Sequence, residues 1–152
     1  MLKLQRLIQE ARIVGKIELQ GGKKDDRGGS SSGKVSQSDL KELEKVLDKL
    51  FATVKIDVEF TRHFLDRVND PRNKKQITIE ELRSLFQKTY QKYKDRLVKM
   101  GPDTEAVLND LQTDINTPFA LVWDKKNNEL DLVAKTTMRK KDFKTSNVKL
   151  KV

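Results

Sequence analysis

A chain of 152 residues is sized for one domain plus tails, and its equal shares of hydrophobic and charged residues, 36% each, imply a small core under a heavily charged surface. Without cysteine there are no disulfides or thiolate metal sites, and one histidine is too few for an ordinary zinc site, so neither a metal nor another cofactor is expected. A net charge of +9 and a pI near 9.7 favour a polyanion partner, nucleic acid first, over the plainer reading of a soluble positive surface.

Residues 1–20 read as a short amphipathic leader, with Leu4, Leu7, Ile8 and Ala11 at helical spacing between basic and polar residues. No stretch approaches the ~18 apolar residues of a membrane span, and the leader lacks the apolar run of a secretory signal. A membrane is therefore not expected, and the cytosol is the simplest location. A linker over 21–35 follows. Its first fourteen positions hold five of the seven glycines and no large apolar residue, so flexibility is expected there, because nothing offsets the entropy of ordering. The domain is residues 36–152.

Within it, Ser36 or Ser38 can cap a helix over about 39–54, striped by Leu40, Leu43, Val46, Leu47, Leu50, Phe51 and Val54. Ile56 to Phe60 is extended and leads into a helix carrying His63, which Asn69-Asp70-Pro71 ends. Thr78 and Glu81 form a capping box that opens a longer helix, stopped by Gly101-Pro102. Thr104 to Leu111 reads as a short helix. Phe119 to Trp123 reads as a strand, Asp124 to Asn128 as a turn, Glu129 to Thr137 as a returning strand, and Val148 to Val152 as a third strand. Helices before strands make this α+β, with N-terminal helices packed on a small C-terminal antiparallel sheet.

Three groups of residues carry chemistry. His63 and Arg67 share a helix face, with Arg62 alongside. An imidazole can exchange protons near neutrality and a guanidinium can grip phosphate in two places, although a solvated helix whose Arg67 pairs with Asp66 or Asp70 fits the same spacing. Lys135, Thr136, Thr137, Met138, Arg139, Lys140 and Lys141 bring hydroxyls and cations to a strand end, where they could line a nucleic-acid backbone or simply guard an edge. Residues 125–152 hold nine Lys or Arg against three Asp or Glu, two thirds of the net charge. Third, Tyr90 and Tyr93 lie among lysines where bases could stack, with core packing the better reading for Tyr90; Trp123 is expected to pack the sheet against the helices.

Leu4-Gln5-Arg6-Leu7-Ile8-Gln9-Glu10-Ala11-Arg12 resembles the capsid-targeting peptide of internal head proteins of T-even-like tailed phages. That resemblance implies cutting by the prohead protease at Ile8-Gln9-Glu10, between Glu10 and Ala11. Val-Glu-Phe-Thr-Arg-His-Phe-Leu-Asp-Arg-Val-Asn-Asp (58–70), Thr-Asp-Ile-Asn-Thr-Pro-Phe (113–119) and the segment Asp131 to Phe143 resemble small proteins of marine T-even-like phages. More distantly, the His-x-x-x-Arg helix, the capped Ile-Thr-x-Glu-Glu-Leu helix and the following hairpin resemble the barnase/RelE-like ribonuclease superfamily.

These resemblances imply a phage-encoded, RNA-acting protein, a metal-independent endoribonuclease, carried in the virion head or acting in the host cytoplasm. In that reading His63 is general base or acid toward a ribose 2′-hydroxyl, and Arg67 and Arg139 stabilise the charge on phosphorus. Lys135 binds phosphate and Thr137 positions it, with Arg62, Lys140, Lys141 and Lys144 along the nucleic acid. The alternatives are a non-enzymatic virion protein that binds packaged DNA or capsid and scaffold proteins, and a binder of a host protein.

Overall fold

The structure, a computed structural model, describes residues 34–152. The leader, most of the linker and the Ile8–Ala11 cleavage site lie outside the described residues. Helix α1, Gln37–Phe51, begins at Ser36, whose side chain accepts from Asp39 N while the Asp39 carboxylate accepts from Ser36 N. The Ala52–Val54 end of its expected stripe winds instead as a 3₁₀ turn, closed by Lys55 at φ 56°. Strand β1, Ile56–Phe60, leads to α2, Arg62–Val68, which Thr61 caps. Asp70 then caps the 3₁₀ turn Pro71–Asn73, because proline fits the first position of a helical turn, where no N–H is needed. Helix α3, Ile79–Met100, carries the Thr78–Glu81 capping box and stops at Gly101, whose φ of 69° suits a residue without Cβ.

Five strands complete the fold: β2 Thr104–Asn109, β3 Ile115–Asp124, β4 Glu129–Ala134, β5 Met138–Arg139 and β6 Val148–Lys151. The segment expected as a helix from Thr104 is thus the strand β2. Its apolar run of Ala106, Val107 and Leu108 is buried on consecutive positions, so it shows no period-2 alternation to reveal a strand. Pairing with β3 on one side and β6 on the other decides the matter.

The sheet order is β1-β4-β3-β2-β6, with β5 also on β3. The fold is α+β. The sheet is mixed: β3 runs antiparallel to its neighbours, while β1 pairs parallel with β4 and β6 parallel with β2. Ile56, Val58, Leu121, Phe119, Leu132, Ala134, Ala106 and Leu108 join Leu43, Leu47 and Leu50 of α1 and Leu82, Leu85 and Phe86 of α3 in one core. Tyr90 belongs to it, edge-on to Phe51 and hydroxyl-bonded to Thr53. Trp123 does not: it is 47% exposed. It continues the alternation of Phe119 and Leu121 and pairs with the buried Leu130 beside the β3–β4 turn, yet stays largely in solvent.

Edge strand β1 is protected by α1. Asp48 accepts from Val58 N at 2.8 Å and Glu44 from Phe60 N at 3.1 Å, occupying donors that a free edge would offer to another chain.

Candidate nucleic-acid interface

The site begins with Thr61. Its backbone N–H donates to Ala134 O, its hydroxyl donates to Lys135 O, and it caps α2. The start of α2 is thereby tied to the end of β4. At the other end of the helix, buried Asn73 donates to Arg67 O at 2.8 Å and accepts from Arg139 N at 3.0 Å. One asparagine so joins α2 to β5. Between them opens a cleft of about 810 Å³, with His63, Arg67 and the 70–75 turn on one wall and residues 136–141 on the other. His63 and Arg67 thus share a cleft with Thr137 and Arg139 but not with Lys135.

Seven of the fourteen lining residues are Lys or Arg, against two aspartates, so the cleft carries a strong positive field. Arg67 and Arg72 both pair with Asp70, at 3.0 and 2.7 Å, and remain partly exposed. Lys74, Lys75, Lys140 and Lys141 are exposed and make no side-chain hydrogen bond or ion pair with the described residues. Among the described residues, no Phe, Tyr or Trp lines the cleft. Its cations suit phosphates better than its side chains suit base stacking.

The strand half of the expected constellation is divided by a β-bulge. Phe119 pairs with Ala134 and Asn116 with Met138, so three steps along β3 face four along the other strand. One extra residue between Ala134 and Met138 reverses which side chains point inward. Before the bulge Leu130, Leu132 and Ala134 are inside; after it, Thr137 and Arg139 are. Lys135 is directed away from the cleft and pairs with Glu105. Thr137 lies in the cleft floor, buried, with its hydroxyl shared between Thr117 and Asn116 O.

Arg139 is also floor rather than grip. Its Nε donates to Lys75 O, Nη1 to Thr113 O and Glu81, and Nη2 to Gln76 O and Glu81. All five of its donors are engaged, which leaves none for a phosphate. Burial acts to raise the Glu81 carboxyl, but the Arg139 hydrogen bond and charge and the Thr78 N–H outweigh it and hold the group below its ordinary value.

Of the other sequence candidates, Lys140 and Lys141 line the cleft. Arg62 lies in a separate groove beside Lys41, Glu44 and Glu59, and Lys144 is exposed but not a lining residue. Tyr93 pins α3 to β6 by donating to Lys151 O, with Lys92 and Arg96 near its ring.

Sequence reasoning missed Arg72, Lys74 and Lys75. Their signal was present in Asp70-Pro71-Arg72-Asn73-Lys74-Lys75, a capped turn followed by cations. Lys74 has φ 66° and ψ −50°, and Lys75 N donates to Asn73 O at 2.6 Å, a three-residue turn of the strained kind. The turn lies at the cleft wall.

A second charged region lies on β1 and β4. Asp57 pairs in register with Asp131, and Asp57, Glu129 and Asp131 each bring one carboxylate oxygen within 4.8 Å of the others. These three could share one hard cation, since oxygen ligands suit calcium or magnesium. Asp131 is pushed up to about 7, by burial first and then by Glu59 and Asp57. Asp48 also rises to about 7, by burial and the charge of Asp57, against the opposing pull of the Val58 N–H.

Comparison with known proteins found no matching family model, curated protein or solved structure.

Proposed function

We propose that this is a nucleic-acid-binding protein that holds RNA by its phosphate backbone in the cleft between α2 and β5. The observation that carries this reading is the cleft lining: seven cations against two acids, with four lysines that make no side-chain hydrogen bond or ion pair among the described residues. Such a surface draws its affinity from phosphate neutralisation and counterion release. Anisotropy of a labelled oligoribonucleotide, titrated at several salt concentrations, tests it. Affinity should fall steeply as salt rises, and Lys140→Glu with Lys141→Glu should weaken it. Salt-independent binding, or no binding at 50 mM salt, would remove the reading. A parallel titration with single-stranded and duplex DNA decides between RNA and packaged DNA as the ligand.

A second reading, metal-independent RNA cleavage, is favoured by the exposed imidazole of His63 in the same cleft. With Lys135 outside the cleft and Arg139 fully engaged, His63 and Arg67 would carry that chemistry, with Arg72 and Lys74 as the available phosphate ligands. Cleavage in EDTA that disappears in His63→Ala supports this activity; equal cleavage by the variant rejects it. An origin in a tailed phage and packaging in its head rest on the sequence resemblances. A peptide starting at Ala11 in purified particles would support them.

A further inference from the structure

Within the cleft, the hydrogen bond between Arg67 and His63 has a chemical consequence. Arg67 Nε lies 3.2 Å from His63 Nε2. A guanidinium only donates, so Nε2 must accept with a lone pair, and the imidazole in this contact is neutral. Protonating His63 removes that lone pair and sets two cations side by side. An anion placed between them reverses the repulsion.

The rest of the wall is arranged for such an anion. Asp70 accepts from Arg67 Nη1 at 3.0 Å and from Arg72 Nη2 at 2.7 Å, and its second oxygen accepts from Arg72 N at 2.8 Å. One carboxylate thus holds two guanidiniums near each other and leaves Nη2 of Arg67 and Nη1 of Arg72 without a bond to it. From the same turn Lys74 and Lys75 face the cleft, and Asp114, Lys140 and Lys141 face it from the other side. Asp66, on the helix itself, is exposed and outside the cleft lining. Asp70 is engaged with the arginines, so the field at His63 is dominated by cations, which makes a bound anion the natural partner of an imidazolium there.

We propose that Arg67, Arg72 and His63 form a phosphate-anchoring subsite in which binding of one phosphate group is coupled to protonation of His63. This rests on the cleft reading and deepens it, because it names the group that is held and the pH dependence of holding it. Without phosphate His63 Nε2 accepts from Arg67 Nε. In the complex the imidazole becomes a cationic donor to phosphate, and Arg67 turns its Nε to the same group. Up to one proton is taken up per phosphate seated.

The test is the pH dependence of affinity at constant ionic strength for a labelled single-stranded oligoribonucleotide, with and without a 5′-phosphate. For one linked proton, binding should tighten as pH falls from about 8 to 6, with a slope approaching tenfold per unit. His63→Gln should flatten that slope and keep the salt dependence. Arg67→Gln and Arg72→Gln should each weaken binding, Arg67→Gln changing the pH profile as well.

A wild-type excess over His63→Gln that is common to both oligonucleotides assigns the subsite to an internal phosphodiester. An excess confined to the 5′-phosphorylated strand assigns it to a terminal phosphate. A salt-sensitive complex whose pH profile is the same in wild type and His63→Gln overturns the subsite and leaves the cleft reading standing. No complex at any pH sinks both.

Discussion

The two charged regions of this domain treat their charges in opposite ways. In the cleft, cations are counter-paired or solvated: Asp70 bridges two arginines, Glu81 neutralises Arg139, and four lysines extend into solvent. On the β1–β4 side, carboxylates are packed against one another, and burial first, with the neighbouring acids after it, raises Asp48 and Asp131 to about 7. A surface that must stay charged to bind a polyanion needs exposed or counter-paired cations. A surface that closes a sheet edge tolerates acids that give up their charge. Asp48 and Glu44 do this second job directly, as acceptors for the β1 backbone.

The largest expected effect tests whether Arg139 belongs to the scaffold or to the grip. Its side chain is 12% exposed against Glu81 at 19%, so Arg139→Ala leaves a nearly buried carboxylate and several carbonyls without partners. Urea denaturation should show a loss of about 3 kcal/mol. A loss under about 0.5 kcal/mol together with a collapse of nucleic-acid affinity would return Arg139 to the binding surface.

The cleft lysines come next. Each of Lys140→Glu and Lys141→Glu should cost about tenfold in affinity at 0.1 M salt and lower the salt slope by about one, while the melting temperature stays put. The reverse pattern, melting lowered and affinity kept, would make them structural.

The acidic edge should show itself in the pH dependence of stability. Asp48 and Asp131 have folded pKa values near 7, above the roughly 3.9 of an unfolded aspartate. The folded state therefore holds protons that the unfolded state releases. The stability this contributes is complete below about pH 4 and is lost as pH rises through 7. Glu81 has the opposite sign: its depressed value contributes stability above its unfolded pKa, lost as pH falls through the folded one. Thermal melts should therefore peak in mildly acid buffer and decline from pH 6 to pH 8, and Asp131→Asn should reduce that decline. A melting curve flat across that range would contradict the raised values.

The smallest effect is at Lys74. Glycine adopts its positive φ without strain, so Lys74→Gly should change stability by less than about 1 kcal/mol, upward if the strain exceeds the entropy that glycine adds. Affinity should nevertheless fall, because a cleft cation is gone. If stability drops sharply instead, the Lys74 stem is packed and the strained turn is not the reason for its geometry.

Much of the scaffold was legible from local rules. Ser36 and Thr78 cap helices where short-range chemistry says they should, Pro71 ends α2, and Gly101 ends α3. Of the strand residues set with His63 by resemblance, Thr137 and Arg139 line the cleft and Lys135 does not. Trp123 departs from the expected packing because alternation tells which face a side chain takes and not whether another element covers it there. The roles on the second hairpin arm were misassigned for a related reason. Lys135, Thr137 and Arg139 share a face in an unbroken strand, and a one-residue bulge divides them.

The amino-acid sequence alone determined the capping of the two long helices, the α+β order, the lone imidazole four residues before an arginine, and the concentration of positive charge in the last 28 residues. All of these depend on neighbours a few positions apart. Tertiary structure decided the strand identity of Thr104–Asn109, the parallel pairings, the bulge, and which cations are free and which are engaged. Those outcomes depend on partners far along the chain: Arg139 meets Glu81 across 58 positions, and the bulge exists only relative to β3. Charge is a property of a residue, but its availability to a ligand is a property of what the fold sets beside it.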